Sequence, residues 1–403
     1  MIISLRIITN ENKIIKKGDV MNIKRKLVFL LSSSMLIINT GCEDDKATTD
    51  DKVVEITTPT TYTFNSRFVE DGNAVSYSGQ VVRNLLINDI KTQMGVDAGS
   101  KNPATLLSIM ANDNADSPIL SASGMTTVQT KYQDISSSQL NDRLTAVDSY
   151  TIPGYDANAT ALINGWVNEL AQTGKTRASG IRLDQITQKT LWGAVSYWQA
   201  TSKYMSKIPT DDNTVAVEGK TYTSMEHHWD EAFGYLYGAE EDETAPVLGV
   251  DSFLSKYLDK VEGDSDFTGI ADDIYDAFKL GRAAIVAKNY TVRDEQVEIL
   301  REKISMIIGI RAVYYLQVGK TNLGVDNASA FHDLSEGFGF VYGLQFTRNS
   351  MTDAPYVSKS MVDGYIDTLM TGNGFWDVTA ETLDQMSEDI AAEFGFTVEQ
   401  AAN

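Results

Sequence analysis

Cysteine is almost missing from this 403-residue sequence, and the single one, Cys42, excludes both an internal disulfide and a cysteine-based metal centre. Histidine is nearly as scarce, with three residues, so a hydrolytic His triad or a three-His zinc site has little material to draw on. Seven prolines in the whole chain leave long helices uninterrupted. Alternating strand-like runs are also wanting; Tyr62-Thr63-Phe64 is the one tempting stretch. No His-Glu-x-x-His, Gly-x-Ser-x-Gly or Walker-type loop occurs. Basic residues are in deficit, 34 Lys and Arg against 55 Asp and Glu, which excludes the basic footprint of a nucleic-acid binder. Such acidity fits a solvated surface, or attraction of cations and basic partners.

The amino terminus does carry positive charge. Lys24-Arg25-Lys26 precede an apolar run, Leu27 to Ile38, which is too short for a membrane span of roughly twenty residues. Together they have the form of a signal peptide, and Cys42 follows where a lipobox cysteine would stand, with Asn39 in place of the usual Leu. Lys16 to Val20 can be back-translated as a purine-rich ribosome-binding sequence. The expectation is therefore an upstream extension over 1–20 with Met21 as the true start, and a lipoprotein signal peptide over 21–41. Lipidation at Cys42 and a flexible acidic tether over 42–57 would follow. Seven of the Lys and Arg and two of the Asp and Glu precede Cys42, which leaves a formal charge of −26 for the mature chain. The expected place is the cell envelope, with the outer membrane reached through the lipid and either face possible.

Past residue 75 the apolar period is helical. Val81, Val82, Leu85, Leu86 and Ile90 share one stripe, and 184–206, 270–288 and 291–319 carry three- and four-residue apolar spacing. Thr223, Asp251 and Thr379 mark starts. The fold expected is all-α, built from packed helical bundles. A repeat refines it. His227 to Gly238 aligns without gaps to His332 to Gly343, six of the twelve positions being identical. Ala194 to Gln199, before the first copy, resembles Ala312 to Gln317 before the second, with Tyr197 matching Tyr315. An internal duplication would give two pseudo-symmetric bundles, at 58–245 and 246–403.

On a helix at about 100° per residue, His227 and Glu231 project together, opposite Met225, Trp229, Phe233 and Leu236. His332 and Glu336 repeat the arrangement. A glycine at the same place in both copies, Gly234 and Gly339, costs about 1 kcal/mol in a helix and points to close approach of another backbone or a ligand. Imidazole and carboxylate one turn apart are ligands for a divalent first-row metal, iron or zinc. His227, Glu231, His332 and Glu336 could form one site between the helices, with His228 as a further ligand; the alternative is a pair of internal His–Glu contacts that only orient packed helices. Asp264 to Asp272 starts like a calcium loop but has Tyr275 where its bidentate Glu belongs, so an acidic turn is expected. Arg282 and Arg293 are either salt-bridge partners within the bundle or contacts for an anion or substrate.

Glu226-His227-His228-Trp229-Asp230-Glu231, with Tyr77-Ser78-Gly79-Gln80 upstream and Gly281-Arg282 and Arg293 to Gln296 downstream, resembles an uncharacterised family of bacterial lipoproteins similar to the imelysins. These are also called the insulin-cleaving membrane protease or iron-regulated protein group. The resemblance covers roughly 60–395. It implies a two-bundle helical fold, an envelope location and a part in iron acquisition, with an outer-membrane uptake receptor as partner. Imelysins are marked by Gly-x-His-x-x-Glu; His228 and Glu231 match, while Glu226 stands in the glycine's place. Three functions stay open: a non-enzymatic lipoprotein binding a metal ion or metal-bearing ligand, an imelysin-type metallopeptidase with Glu231 as base, and a scaffold whose His–Glu motif is structural.

Overall fold

The computed structural model describes residues 55–95, 103–111, 140–145, 159–238, 242, 244–249 and 254–403. The upstream extension, the signal peptide, Cys42 and most of the tether lie outside the described residues, as does Asp251. Residues 53–403 form one compact unit.

The described chain is helical, and β structure is confined among the described residues to three isolated bridges. In order come α1 (Ser78–Gly95), α2 (Pro103–Ala111), α3 (Leu140–Thr145), α4 (Ala159–Thr173) and α5 (Leu183–Leu191). Beyond α5 the same helix runs on through two widened, π-helical stretches, Trp192–Tyr197 and Gln199–Tyr204, to Lys207. Then follow α6 (Ser224–Tyr237), α7 (Leu254–Glu262), α8 (Ile270–Ala287), α9 (Tyr290–Asn322), α10 (Asn327–Gly343), α11 (Lys359–Met370), α12 (Ala380–Phe394) and α13 (Val398–Ala401).

Local chemistry sets the starts. Thr223 and Glu226 form a reciprocal capping box on α6, and Thr397 with Gln400 does the same on α13. Asn289, Asp326, Ser358 and Thr379 cap α9, α10, α11 and α12 with side-chain oxygens. The stretch that begins like a calcium loop is an acidic turn: the Glu262 carboxylate accepts from the amides of Gly269 and Ala271, at the start of α8. Tyr62 and Phe64 form no strand and are buried in the core.

Packing then brings the matching segments together. The helix that begins as α5 lies first along α10 and, from its second widened turn onward, along α6. Helix α9 lies against α8, α10 and α12, and α8 in turn touches α6. These contacts cross the line drawn at residue 245. The segment before α1 straps α6: the Tyr62 hydroxyl donates to Asp230 at 2.7 Å, and Arg67 reaches Glu226 at 3.2 Å. No described helix is long and apolar enough to cross a membrane.

Candidate functional site

Met225, Trp229, Ala232, Phe233 and Leu236 are buried on one side of α6, as the helical period requires. His227 and Glu231 lie on the other, with His227 Nε2 3.9 Å from Glu231 Oε1. His227 Nδ1 is 3.0 Å from the carbonyl oxygen of Ser76. A carbonyl only accepts, so Nδ1 carries the proton and the neutral ring leaves Nε2 as a bare lone pair toward the carboxylate. Burial is the main influence on this imidazole and lowers its pKa against the opposing pull of Glu231, which favours that neutral form. The ring stacks on Tyr222, 4.6 Å between centroids.

His228 has a similar posture. Its Nδ1 is 2.6 Å from Asp211 Oδ2, while Nε2 is 3.8 Å from Glu231 Oε2 and 3.4 Å from the Lys207 ammonium. Glu231 accepts from neutral donors, Gln80 Nε2 at 2.8 Å and the Tyr204 hydroxyl at 3.2 Å. No Lys or Arg among the described residues pairs with it. The histidine side chains are 30% and 20% exposed, so solvent reaches the cluster.

The second copy keeps the pair and changes its surroundings. His332 Nε2 is again 3.9 Å from its glutamate, Glu336 Oε1. Here, however, the Lys189 ammonium sits 2.6 Å from Glu336 Oε1, and Tyr315 donates to the same carboxylate. Burial would raise the Glu336 carboxyl, but Lys189 and Tyr315 more than offset it, and the net shift is downward. Burial pulls the amine of Lys189 down to about 8 despite Glu336, which leaves it a cation at neutral pH. It also faces the Trp192 ring at 4.5 Å.

The two pairs therefore have separate neighbours and do not meet. Among the described residues no group of three or more His, Cys, Asp or Glu side chains is arranged to hold a metal ion, so the four-ligand centre drawn from the sequence is not assembled. In the second copy the reason is plain: an internal ammonium already occupies the carboxylate. In the first copy no Lys or Arg among the described residues forms an ion pair with Glu231, and the donor set suits a metal in kind.

The paired glycines have a packing role. A Cβ on Gly234 would lie 2.5 Å from Tyr77 Cβ and 3.0 Å from Gln80 Cβ, where α1 begins. On Gly339 it would run into Lys189 Cβ and stand 3.1 Å from that residue's backbone carbon. Close helix approach is what sets Gln80 and Lys189 beside the two glutamates. Gly339→Ala is expected to cost about 2 kcal/mol or more, because backbone cannot move aside. Gly364→Ala, in α11 with open space around it, should instead stabilise by up to about 1 kcal/mol. Urea denaturation of both variants checks the opposite signs.

Arg282 and Arg293 are salt-bridge residues. Arg282 is fully enclosed, with its guanidinium 3.0 Å from both Glu226 Oε1 and Asp230 Oδ1 and 3.3 Å from the Ala74 carbonyl. Arg293 pairs with Asp294 at 2.7 Å and lies against Tyr290. Glu226 has both the cap and Arg282 to serve. The sequence did not reveal Gln80, Tyr204, Asp211 or Lys189 as site residues. It did mark Tyr315, through the repeat; its match Tyr197 instead contacts Ser305 Oγ at 2.7 Å, and Tyr204, seven residues on, reaches the first glutamate.

A helical domain that sets two His–Glu turns on separate helices, each closed against a neighbouring helix at a glycine, is the class defined here. Residues 59–397 match the family described as Domain of unknown function (DUF4856), and the chain belongs to it. No curated protein and no solved structure matches the chain.

Proposed function

We propose that the protein is a lipid-anchored envelope protein that binds one divalent first-row metal ion at the first His–Glu motif, with His227 Nε2 and Glu231 as ligands and His228 as a further one. The observation that carries this is His227 Nε2, left without a proton by the Nδ1 contact to Ser76, 3.9 Å from a carboxylate that no Lys or Arg among the described residues pairs with. A lone pair opposite an anionic oxygen is unfavourable until a proton or cation enters between them. Two donors each about 2.1 Å from a metal can lie up to about 4.2 Å apart, and the spacings at His227 and His228 fall within that span. The donors do not yet surround one point, so binding is expected to draw them together. The second motif supports the same logic by contrast, since Lys189 supplies there the positive charge that the first lacks.

Imidazole and carboxylate suit zinc or iron. The resemblance to the imelysins favours iron, an envelope location and an outer-membrane uptake receptor as partner. The matching motifs fit an ancestral duplication in which one copy kept an open carboxylate and the other closed.

Metal content and calorimetric titration on the purified protein test the proposal. One equivalent of zinc or iron(II) should bind, and His227→Ala should weaken it at least tenfold while His332→Ala leaves it unchanged. No binding at micromolar metal, or binding that survives His227→Ala, would make the first motif a structural contact like the second.

A further inference from the structure

A second feature of the same region is a gathering of positively charged side chains in an otherwise acidic chain. Arg83, on α1, is 4% exposed. Its Nη1 lies 3.4 Å from the Tyr235 hydroxyl, a long contact, and its buried Nε has no hydrogen-bond partner. Among the described residues no carboxylate pairs with it and it lies over no aromatic ring. Lys203 is half-buried, likewise without a carboxylate, its ammonium 5.4 Å from the centre of the Tyr204 ring. The Lys207 ammonium lies 5.9 Å from the same ring, and Tyr235 stacks on Tyr204 at 6.0 Å. Arg143 adds its field to this group: burial and then Arg143, Lys207 and Arg83 pull the Lys203 amine down to about 8.

The other arginines show how the fold ordinarily treats such a charge. Arg282 is enclosed together with two carboxylates. Arg311 rests on the Tyr314 ring at 3.8 Å. Burial opposes the Arg83 charge and the phenols of Tyr235 and Tyr204, with Glu231 beyond them, offset that cost, but no carboxylate among the described residues forms an ion pair with it. The Tyr235 hydroxyl receives from Arg83 and has its own proton left to give. Guanidinium, ammonium and phenol thus stand together with no ion-paired carboxylate among the described residues.

We propose that Arg83, Lys203 and Tyr235 hold the anionic group, carboxylate or phosphate, of a small ligand, with Lys207 and Arg143 adding to the attraction. A planar guanidinium takes such a group through two parallel hydrogen bonds. This site shares no ligand residue with the metal motif and stands whether or not metal binds there. Lys207 also lies 3.4 Å from His228 Nε2.

The test is calorimetric titration and thermal unfolding of the full chain with inorganic phosphate and with malonate, against chloride at equal ionic strength. At least one of the two should bind saturably below millimolar concentration and raise the melting temperature, and which one does so assigns the group. Arg83→Met should weaken that binding at least tenfold. Lys203→Gln, at a less buried position, should weaken it severalfold and serves if Arg83→Met does not fold. Failure of both anions to exceed chloride would overturn the proposal, as would full binding by either variant.

Discussion

Arg282→Met is expected to lower the stability of the folded chain by about 3–5 kcal/mol, the cost of stranding buried charge. The guanidinium joins three parts of the protein: Glu226 and Asp230 on α6, and the Ala74 carbonyl in the strap before α1. Both carboxylates are fully enclosed, so neither can turn to water when the cation leaves. Glu226 would keep Arg67, and Asp230 would keep the Tyr62 hydroxyl and the Ser76 amide at 3.1 Å. Those contacts are too few for two buried anions. Lysine should not rescue the site, because one ammonium cannot fork across both carboxylates. The loss should also depend on pH. Burial pushes Asp230 up to about 6 from an ordinary 3.8, against the opposing effects of Arg282 and Tyr62. Its folded form holds a proton more tightly than the unfolded chain does, so this group's contribution to stability falls as pH rises from 3.8 toward about 6. Without Arg282 the upward push is stronger, and the deficit of the variant should be larger at pH 7 than at pH 5. Urea denaturation of both proteins at the two pH values reads this directly; equal stability at pH 7 would refute it.

Lys189→Met should cost roughly 3 kcal/mol, again by leaving a carboxylate without its cation. The Lys189 side chain is 2% exposed and that of Glu336 11%, so solvent screens the pair little. Only the Tyr315 hydroxyl and the more distant His332 ring, 3.9 Å away, would then face Glu336. The double variant Lys189→Met/Glu336→Gln should recover much of the loss, since a neutral amide needs no counter-charge. A double-mutant cycle in urea gives the coupling. The same cycle separates the two motifs, for Glu231→Gln has no lysine to strand and should cost far less. A neutral Lys189→Met, or a double variant no better than the single, would contradict the closed state of the second motif.

The helical class was legible because its signals are local. Proline-free runs and the caps at Thr223 and Thr379 depend only on neighbouring residues, and the stripe at Val81, Val82, Leu85, Leu86 and Ile90 is buried as its spacing requires. The His–Glu pairs were legible for the same reason, four residues apart on one helix. Their partners were not. Gln80 reaches Glu231 across 151 residues, and Ser76 reaches His227 across the same separation. Lys189 stands in a segment whose every residue is buried, among Thr and Gln side chains that give no sign which of them meets a glutamate. The glycines came closest to revealing these contacts, for Gly234 and Gly339 signal a crossing helix without naming it. The widened turns at Trp192–Tyr197 and Gln199–Tyr204 have no signature of their own, and without them Tyr197 looked like the natural match for Tyr315.

Those widened turns make one long helix serve two clients. Before them, Lys189 grips the glutamate of the second motif; at the end of the second, Tyr204 meets the glutamate of the first, with Lys203 and Lys207 beside it. Each residue of an α-helix advances about 100° around its axis, so a stretch that departs from that pitch acts as a phase shifter between the two ends. A return to regular pitch would swing Tyr204, Lys203 and Lys207 out of alignment as one block while Lys189 stayed in place. The first motif could thus be retuned in evolution, or dismantled, without disturbing the clamp on the second.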